Sequence, residues 1–576
     1  MTGSPGSAAS RGPADLLVVG RIATLAAERG FGWADAMAIG GGRVLAAGTL
    51  ADIEGLTGRG TRRLILGPDR VVLPGLTDAH LHLADTALAS RRVDLEAAAT
   101  LNDGLALVAA AHGRLADLDA WLEGSGWDPW RWGRWPTAAD LRAAAPDRRV
   151  ALWSHDHHAL WASERTLREM GATGDTVDPP GGAIRRAPDG TPDGCFQETA
   201  TERVVRLISP PTPQLLDEAI EALARELLGL GVVAVHDPGE LAADRTLSGA
   251  IRACRMLAER GRLAIRVHVS VRAAGLGAAI EAGLRTGASL GTGEHADRAR
   301  MGWLKLFADG SLGSGTAALI EPYEGGPGYR GVTDDVMRGA ADRSSARNGG
   351  DGRGVVVTPR AELRRLVERA ANAGIAGQIH AIGDAALGVA LDVLGPVCGR
   401  TVAMPRVEHV QFATRRDLGR FGPAGIAASV QPIHLRSDVD KARVAWGVRA
   451  EANAFPLRGL LDAGTVVAFG TDAPVEPIDP WPGIEIAATR LSSQWVDRRP
   501  FGAAEAISLE QAIRAAALGP AVVAGEHDRG RLNGGHRADF IVVPANALIE
   551  PVEAGGPLGS VRPDLVAVDG EIAFEA

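Results

Sequence analysis

Two histidines at positions i and i+2, His80 and His82, close the run Leu73-Pro-Gly-Leu-Thr-Asp-Ala-His-Leu-His82. On an extended chain both imidazoles project to the same side, as a chelating pair must. Neutral imidazole is the commonest protein ligand for zinc-like metals, and two from one strand leave room for carboxylate or water ligands. An isolated H-x-H arises often by chance. Three further apolar runs, however, end in residues of the same chemical kind: Gly377-Gln-Ile-His380, Arg406-Val-Glu-His409 and Val466-Val-Ala-Phe-Gly-Thr-Asp472. Together they point to a metal centre.

Only two of the 61 basic residues are lysines, and one of them, Lys305, lies inside the apolar run Met301-Gly-Trp-Leu-Lys-Leu-Phe-Ala-Asp309. A buried, unpaired ammonium is costly. Lysine can lose its proton and act as a nucleophile, including toward CO2, whereas guanidinium stays protonated. From this feature alone, an interior lysine paired with a carboxylate such as Asp309 accounts for the run equally well.

These residues need a scaffold that brings distant segments together. The middle of the chain alternates strand-like and helix-like runs, the pattern of a parallel α/β architecture. Nine strand candidates stand near 73–82, 150–154, 232–236, 264–270, 302–307, 377–381, 404–409, 427–431 and 466–471. An eight-stranded barrel needs one fewer. The segment 150–154 falls in a long Trp-rich excursion, 86–225, which reads as an inserted cap. Lys305 then lies on strand four, His380 on five, His409 on six and Asp472 at the end of eight, converging at the C-terminal mouth where such barrels carry their chemistry. Short alternating strands broken by glycines occupy 15–72 and recur in 525–576, so both chain ends are expected to meet in one small β domain flanking a barrel over 73–524. Residues 1–14 read as a disordered tail. The polar, glycine-rich run 340–354 follows strand four and reads as a disordered insertion or a border of the substrate entrance.

At 576 residues the chain exceeds the usual single-domain size. The net charge of −9, with no Lys/Arg-rich tract, argues against nucleic-acid or anionic-membrane partners. Three widely spaced cysteines suit reduced thiols, no run of about 18 apolar residues suggests a membrane helix, and residues 1–14 lack a signal-peptide core. A cytoplasmic protein with a small-molecule substrate is expected, with homodimerisation left open.

Taken together, PGLTDAHLHL, WLKLFADGSLGSGTAAL, QIHAIGDAAL, RVEHVQ, SVQPIH, GTDAPVEPIDPWPGIEIA and GRLNGGHRADFIVV resemble the amidohydrolase superfamily, and more narrowly its amidohydrolase-3 or YtcJ-like branch, which includes N-substituted formamide deformylases. The resemblance covers nearly the whole chain. It implies a metal-dependent hydrolase on a (β/α)8 barrel, with a small β-sandwich formed from both termini. By position it implies that His80 and His82 bind the more buried of one or two zinc ions, that Lys305 is carbamylated and bridges the metals, and that His380 and His409 bind the second. Asp472 would touch the first metal and take a proton from the hydrolytic water. His158 and Trp161 in the cap motif Ser154-His-Asp-His-His-Ala-Leu-Trp161, with His434 and Arg436 past strand seven, are candidate substrate contacts. The implied reaction is hydrolysis of an amide-type C–N bond in an N-acyl or N-formyl substrate. Ester, lactone or carbamate hydrolysis and deamination use the same chemistry, and a catalytically silent ligand-binding barrel is the alternative of a different class.

Overall fold

The computed structural model describes residues 13–240, 246–324 and 353–576. Eight parallel strands form the central sheet: β1 (Leu76–Asp78), β2 (Val232–Asp237), β3 (Arg266–Arg272), β4 (Ala299–Phe307), β5 (Gly377–Ala381), β6 (Arg406–His409), β7 (Ala427–Val430) and β8 (Val467–Phe469). The backbone N–H of Ala79 donates to the Phe469 carbonyl at 2.9 Å and joins the first strand to the last. These are the eight segments expected from the sequence. The ninth candidate, Val150–Ser154, lies in a different sheet.

Alternation along each strand divides outside from inside. On β3, Val267, Val269 and Val271 join the large apolar core beneath the outer helices. The intervening residues carry polar side chains inward, where Ser270 meets Gln378 of β5 at 3.2 Å. The helix Pro213–Gly229 buries Leu216, Ile220, Leu223, Ala224 and Leu227, an apolar stripe at helical spacing, in the same core. Thr212 caps its N-terminus and Pro213 begins it, where a missing N–H costs nothing. This helix belongs to the barrel, so the inserted unit ends near residue 210 rather than at 225.

The insertion contains a six-stranded sheet running from Val93–Asp94 to Pro192–Glu198. Its core stacks Trp127, Trp132, Trp135 and Trp161 with ring centroids 5.5 to 6.4 Å apart. Both chain ends build the small β-sandwich as one continuous eight-stranded sheet. There Phe540–Pro544 pairs antiparallel with Arg70–Pro74, and Val18, Met37, Val72, Phe540 and Ala567 share one core. Ala14 is already buried and bonded to Leu56, so this domain begins before Asp15. The expected tail over 1–12 and all but the last two residues of 340–354 lie outside the described residues.

Candidate metal centre

The ends of β1 and β8 are held together by one buried carboxyl. Asp78 accepts from the backbone N–H of His80 and of Thr471 and from the Thr471 hydroxyl, at 3.0, 3.1 and 2.6 Å. Burial pushes its pKa up to about 7. Backbone bonds from Asp472 N to His80 O and from His82 N to Ala473 O, 2.6 and 2.9 Å, continue the seam. His80, His82 and Asp472 are thereby set face to face, with Asp472 Oδ1 3.4 Å from His80 Nε2 and 3.2 Å from His82 Nε2.

A second group of donors converges on the other oxygen of Asp472. His434 Nε2 lies 3.2 Å and His409 Nδ1 3.9 Å from Oδ2. His380 stands beside His409 with ring centroids 4.5 Å apart. Its Nε2 lies 3.0 Å from the Gly310 carbonyl, an acceptor, so the ring proton belongs on Nε2 and the lone pair on Nδ1. His409 and Asp472 adopt φ of 74° and 64°, the sparsely populated left-handed region, which accumulates at sites where geometry serves chemistry.

Glu408 contacts His80 Nδ1 and lies 2.7 Å from Arg406 Nε. Burial alone would raise the Glu408 pKa, yet Arg406 and His80 pull it well below the usual carboxylate range. An ionised carboxylate only accepts, so the His80 proton is fixed on Nδ1 and Nε2 presents its lone pair toward Asp472. Arg406 in turn lies over the Trp303 ring, 4.0 Å from its centroid, and 3.0 Å from His236 Nδ1. Glu408 and Arg406 were visible in the RVEHVQ motif, but the sequence alone gave neither a role.

Lys305 is 1% exposed, with Nζ 3.5 Å from His80 Nε2 and no carboxylate within ion-pair distance among the described residues. Burial pushes its pKa down to about 7. Pairing with Asp309 does not occur, because that carboxylate accepts the backbone N–H groups of Ala318, Ile382 and Gly383.

The four substrate candidates separate. His158 meets the site, its ring 5.0 Å from that of His380, with Nδ1 2.8 Å from Glu198. Glu198 also accepts from Thr316 and is not paired with Arg203. His434 sits within the donor cluster itself. Arg436 is held 2.7 Å from both Glu476 and Glu96, so its charge is already matched. Trp161 is fully buried in the cap core with its indole N–H on the Thr137 carbonyl, 2.8 Å away, and is a packing residue, not a substrate contact. Its place in a motif that also carries His158 concealed that difference.

The donor set fits a divalent metal. Among the described residues, Asp472 Oδ1 and His409 Nδ1 have no hydrogen-bond partner though buried, and buried polar atoms are usually satisfied. His80, His82 and Asp472 form one group of convergent ligand atoms, and His409, His434 and Asp472 a second. Imidazole and carboxylate together suit ions of the zinc type.

Comparison with known proteins agrees with this geometry. The sequence profile described as the Amidohydrolase family matches residues 68–574. Protein LONG AFTER FAR-RED 3 of Arabidopsis thaliana is 30% identical over 93% of this chain and 88% of its own. The N-substituted formamide deformylase of Arthrobacter pascens is 25% identical, covering 94% of this chain and 95% of its own. The crystal structure of a metal-dependent hydrolase from Pyrococcus horikoshii superposes with a TM-score of 0.69 at 25% identity, across 93% of this chain and 98% of that one.

Proposed function

The chain belongs to the amidohydrolase family, and from that premise we propose that it hydrolyses an amide-type C–N bond, in an N-acyl or N-formyl substrate, at the mouth of the barrel. The observation that carries the reading is the convergence of His80, His82, His409, His434 and Asp472 around Asp472 Oδ1 and His409 Nδ1, two buried atoms without a hydrogen-bond partner among the described residues. Likeness to the N-substituted formamide deformylase favours the amide over other acyl bonds.

In this reading His80, His82, His380, His409 and Asp472 hold one or two zinc ions. Lys305, carbamylated on Nζ, would contribute a carboxylate to the same metal-binding set. Its amine, held near neutrality by burial, is unprotonated often enough to react with CO2. When bound, a divalent ion supplies Lewis-acid polarisation of a carbonyl and lowers the pKa of water toward neutrality. Asp472 is the general base. Burial would raise its pKa, but His80, His434 and His82 hold it well below the usual range, so it is ionised and able to accept the proton of the attacking water. It returns that proton to the departing nitrogen. His434, pushed up to about 10 by its contacts with Asp472 and Glu476 against the opposing effect of burial, steadies that carboxylate from the other side. His158 approaches from the cap, where it meets the substrate.

The test is a matched panel of N-formyl amines, N-acyl amines, esters, lactones and carbamates given to zinc-loaded protein, with the released amine, acid or alcohol quantified. Turnover of amides above the other classes is expected. Turnover confined to esters or lactones would replace the amide assignment, and a protein unable to take up metal would point to a binding barrel.

A further inference from the structure

Among the described residues three arginines stand near the candidate metal-binding histidines, and two are neutralised: Arg406 by Glu408 and Arg436 by Glu476 and Glu96. The third, Arg272, ends β3 and is the direct register neighbour of Lys305 on β4. Its Nε donates to the Gly239 carbonyl at 2.8 Å, the one side-chain hydrogen bond it makes among the described residues. Its guanidinium lies over the Phe307 ring, 4.6 Å from the centroid. Asp237, Asp85, Glu202 and Asp472 are the carboxylates whose charge it feels, yet none comes within ion-pair distance. The side chain is half-buried. Among the described residues both terminal amino groups of this cation are uncommitted, so it is not held there in a structural ion pair.

Phe307 links Arg272 to the histidine cluster. The same ring stands 5.2 Å from His380 and 6.4 Å from His158, centroid to centroid, while Lys305 Nζ is 5.0 Å from it. One phenyl ring therefore separates Arg272 from the reacting centre. The cation–π contact with the ring and the bond from Nε to Gly239 hold the guanidinium in place, which pre-organises its fork for a planar, bidentate anion.

We infer that Arg272 binds a carboxylate of the substrate, so that the amide cleaved belongs to an N-acylated amino acid or a related acid and not to a neutral amine. This rests on the amide reading above for the bond, but not for the anion. Phe307 packs against the chain between the carboxylate and the scissile carbonyl. Arg406 and Arg436 are closed by their carboxylates, so among the described residues Arg272 is the arginine of the mouth whose fork is left for an anion.

The experiment compares kcat/KM of zinc-loaded enzyme for pairs of N-formyl and N-acetyl amino acids with their carboxamide counterparts, in the wild type, Arg272→Met and Arg272→Lys. The wild type should prefer the acid on the order of 10- to 100-fold, the worth of a charge-assisted, bidentate contact. The preference should collapse in Arg272→Met through KM and return in part in Arg272→Lys, with zinc content per chain equal in all three. Binding of 4-phenylbutyrate against 4-phenylbutyramide, followed by calorimetry on the same proteins, repeats the comparison without turnover. If no amide is cleaved but the wild type binds the acid and Arg272→Met does not, the bond assignment fails and the anion site stands. Equal handling of acid and carboxamide by the wild type, or failure of the acid to bind it, overturns the inference.

Discussion

The chain has two lysines, both buried, in opposite electrostatic settings. Lys305, at the barrel mouth, has an imidazole nitrogen nearby and no carboxylate in ion-pair range, and burial brings its pKa down to about 7. Lys441 lies under the cap, 3.1 Å from Asp128 of the insertion and 3.6 Å from Asp438 of its own helix. Burial would lower its pKa too, but the two carboxylates raise it above the ordinary value. Burial is common to both, so the partners decide. A paired ammonium clamps two structural units, whereas an unpaired one is a reactive amine kept where it destabilises the apo fold.

The largest effect is expected at the unpaired lysine. Lys305→Ala should lower turnover on the order of 10³-fold or more, comparable to loss of a principal electrostatic group from an active site, and should reduce zinc per chain. Acetate or propionate added to the variant should restore part of the activity by occupying the vacated space, while chloride at equal ionic strength should not. Lys305→Met should unfold in denaturant no earlier than wild type when both are metal-free, because it replaces a buried, unpaired amine with an apolar chain. An unmodified ammonium in a crystal structure of active, metal-loaded protein would remove the carbamate from the site.

The paired lysine should behave oppositely. Lys441→Met leaves Asp128 and Asp438 buried without their cation and should cost about 3–5 kcal/mol in chemical denaturation, with zinc content unchanged. Lys441→Arg should recover most of that loss. If Lys441→Met empties the metal site instead, cap and centre are coupled and the two lysines do not report on separate regions.

Glu408 sharpens the contrast from the ligand side. Glu408→Gln preserves shape but not the anion that fixes the His80 tautomer, and should weaken zinc affinity roughly 10- to 100-fold, the usual scale for partners of metal ligands. Competition with a zinc chelator measures this directly. An affinity within twofold of wild type would mean that β1 alone orients His80.

Strand order and the positions of the convergent candidate donors were legible because each of these strands is a short apolar run ending in a chemically conspicuous residue, as in Gly377–His380 and Arg406–His409. What was not legible depends on contacts between distant segments. Nothing local distinguishes Arg272, with an open fork, from Arg436, closed by Glu96 340 positions away. Trp161 and His158 share one motif, yet three residues of separation around a hairpin send one into the cap core and the other to the metal site. The expected end of the cap at 225 falls inside the helix 213–229, whose amphipathic stripe says that a face is buried, not which surface covers it.

The smallest effect is expected at His158, whose charge decides its role. Burial would lower its pKa, but Glu198 and Asp156 raise it to about 9. Near neutral pH the ring is therefore protonated and has no lone pair for a metal, although it lies beside His380. Its anchors are tied to the loop after β4: Asp156 accepts from Ser311 and Ser314 at 2.5 and 2.7 Å, and Glu198 accepts from Thr316 at 2.6 Å. His158→Ala should raise KM roughly tenfold, the loss of about one charge-assisted hydrogen bond, with kcat changed less and zinc content near that of wild type. Because the raised pKa keeps the cation present below it, the wild-type KM should climb as pH passes about 9, and the variant should lack that rise. Loss of zinc in His158→Ala would instead place residues 154–163 among the metal ligands, and would move the boundary between cap and centre drawn from the two lysines.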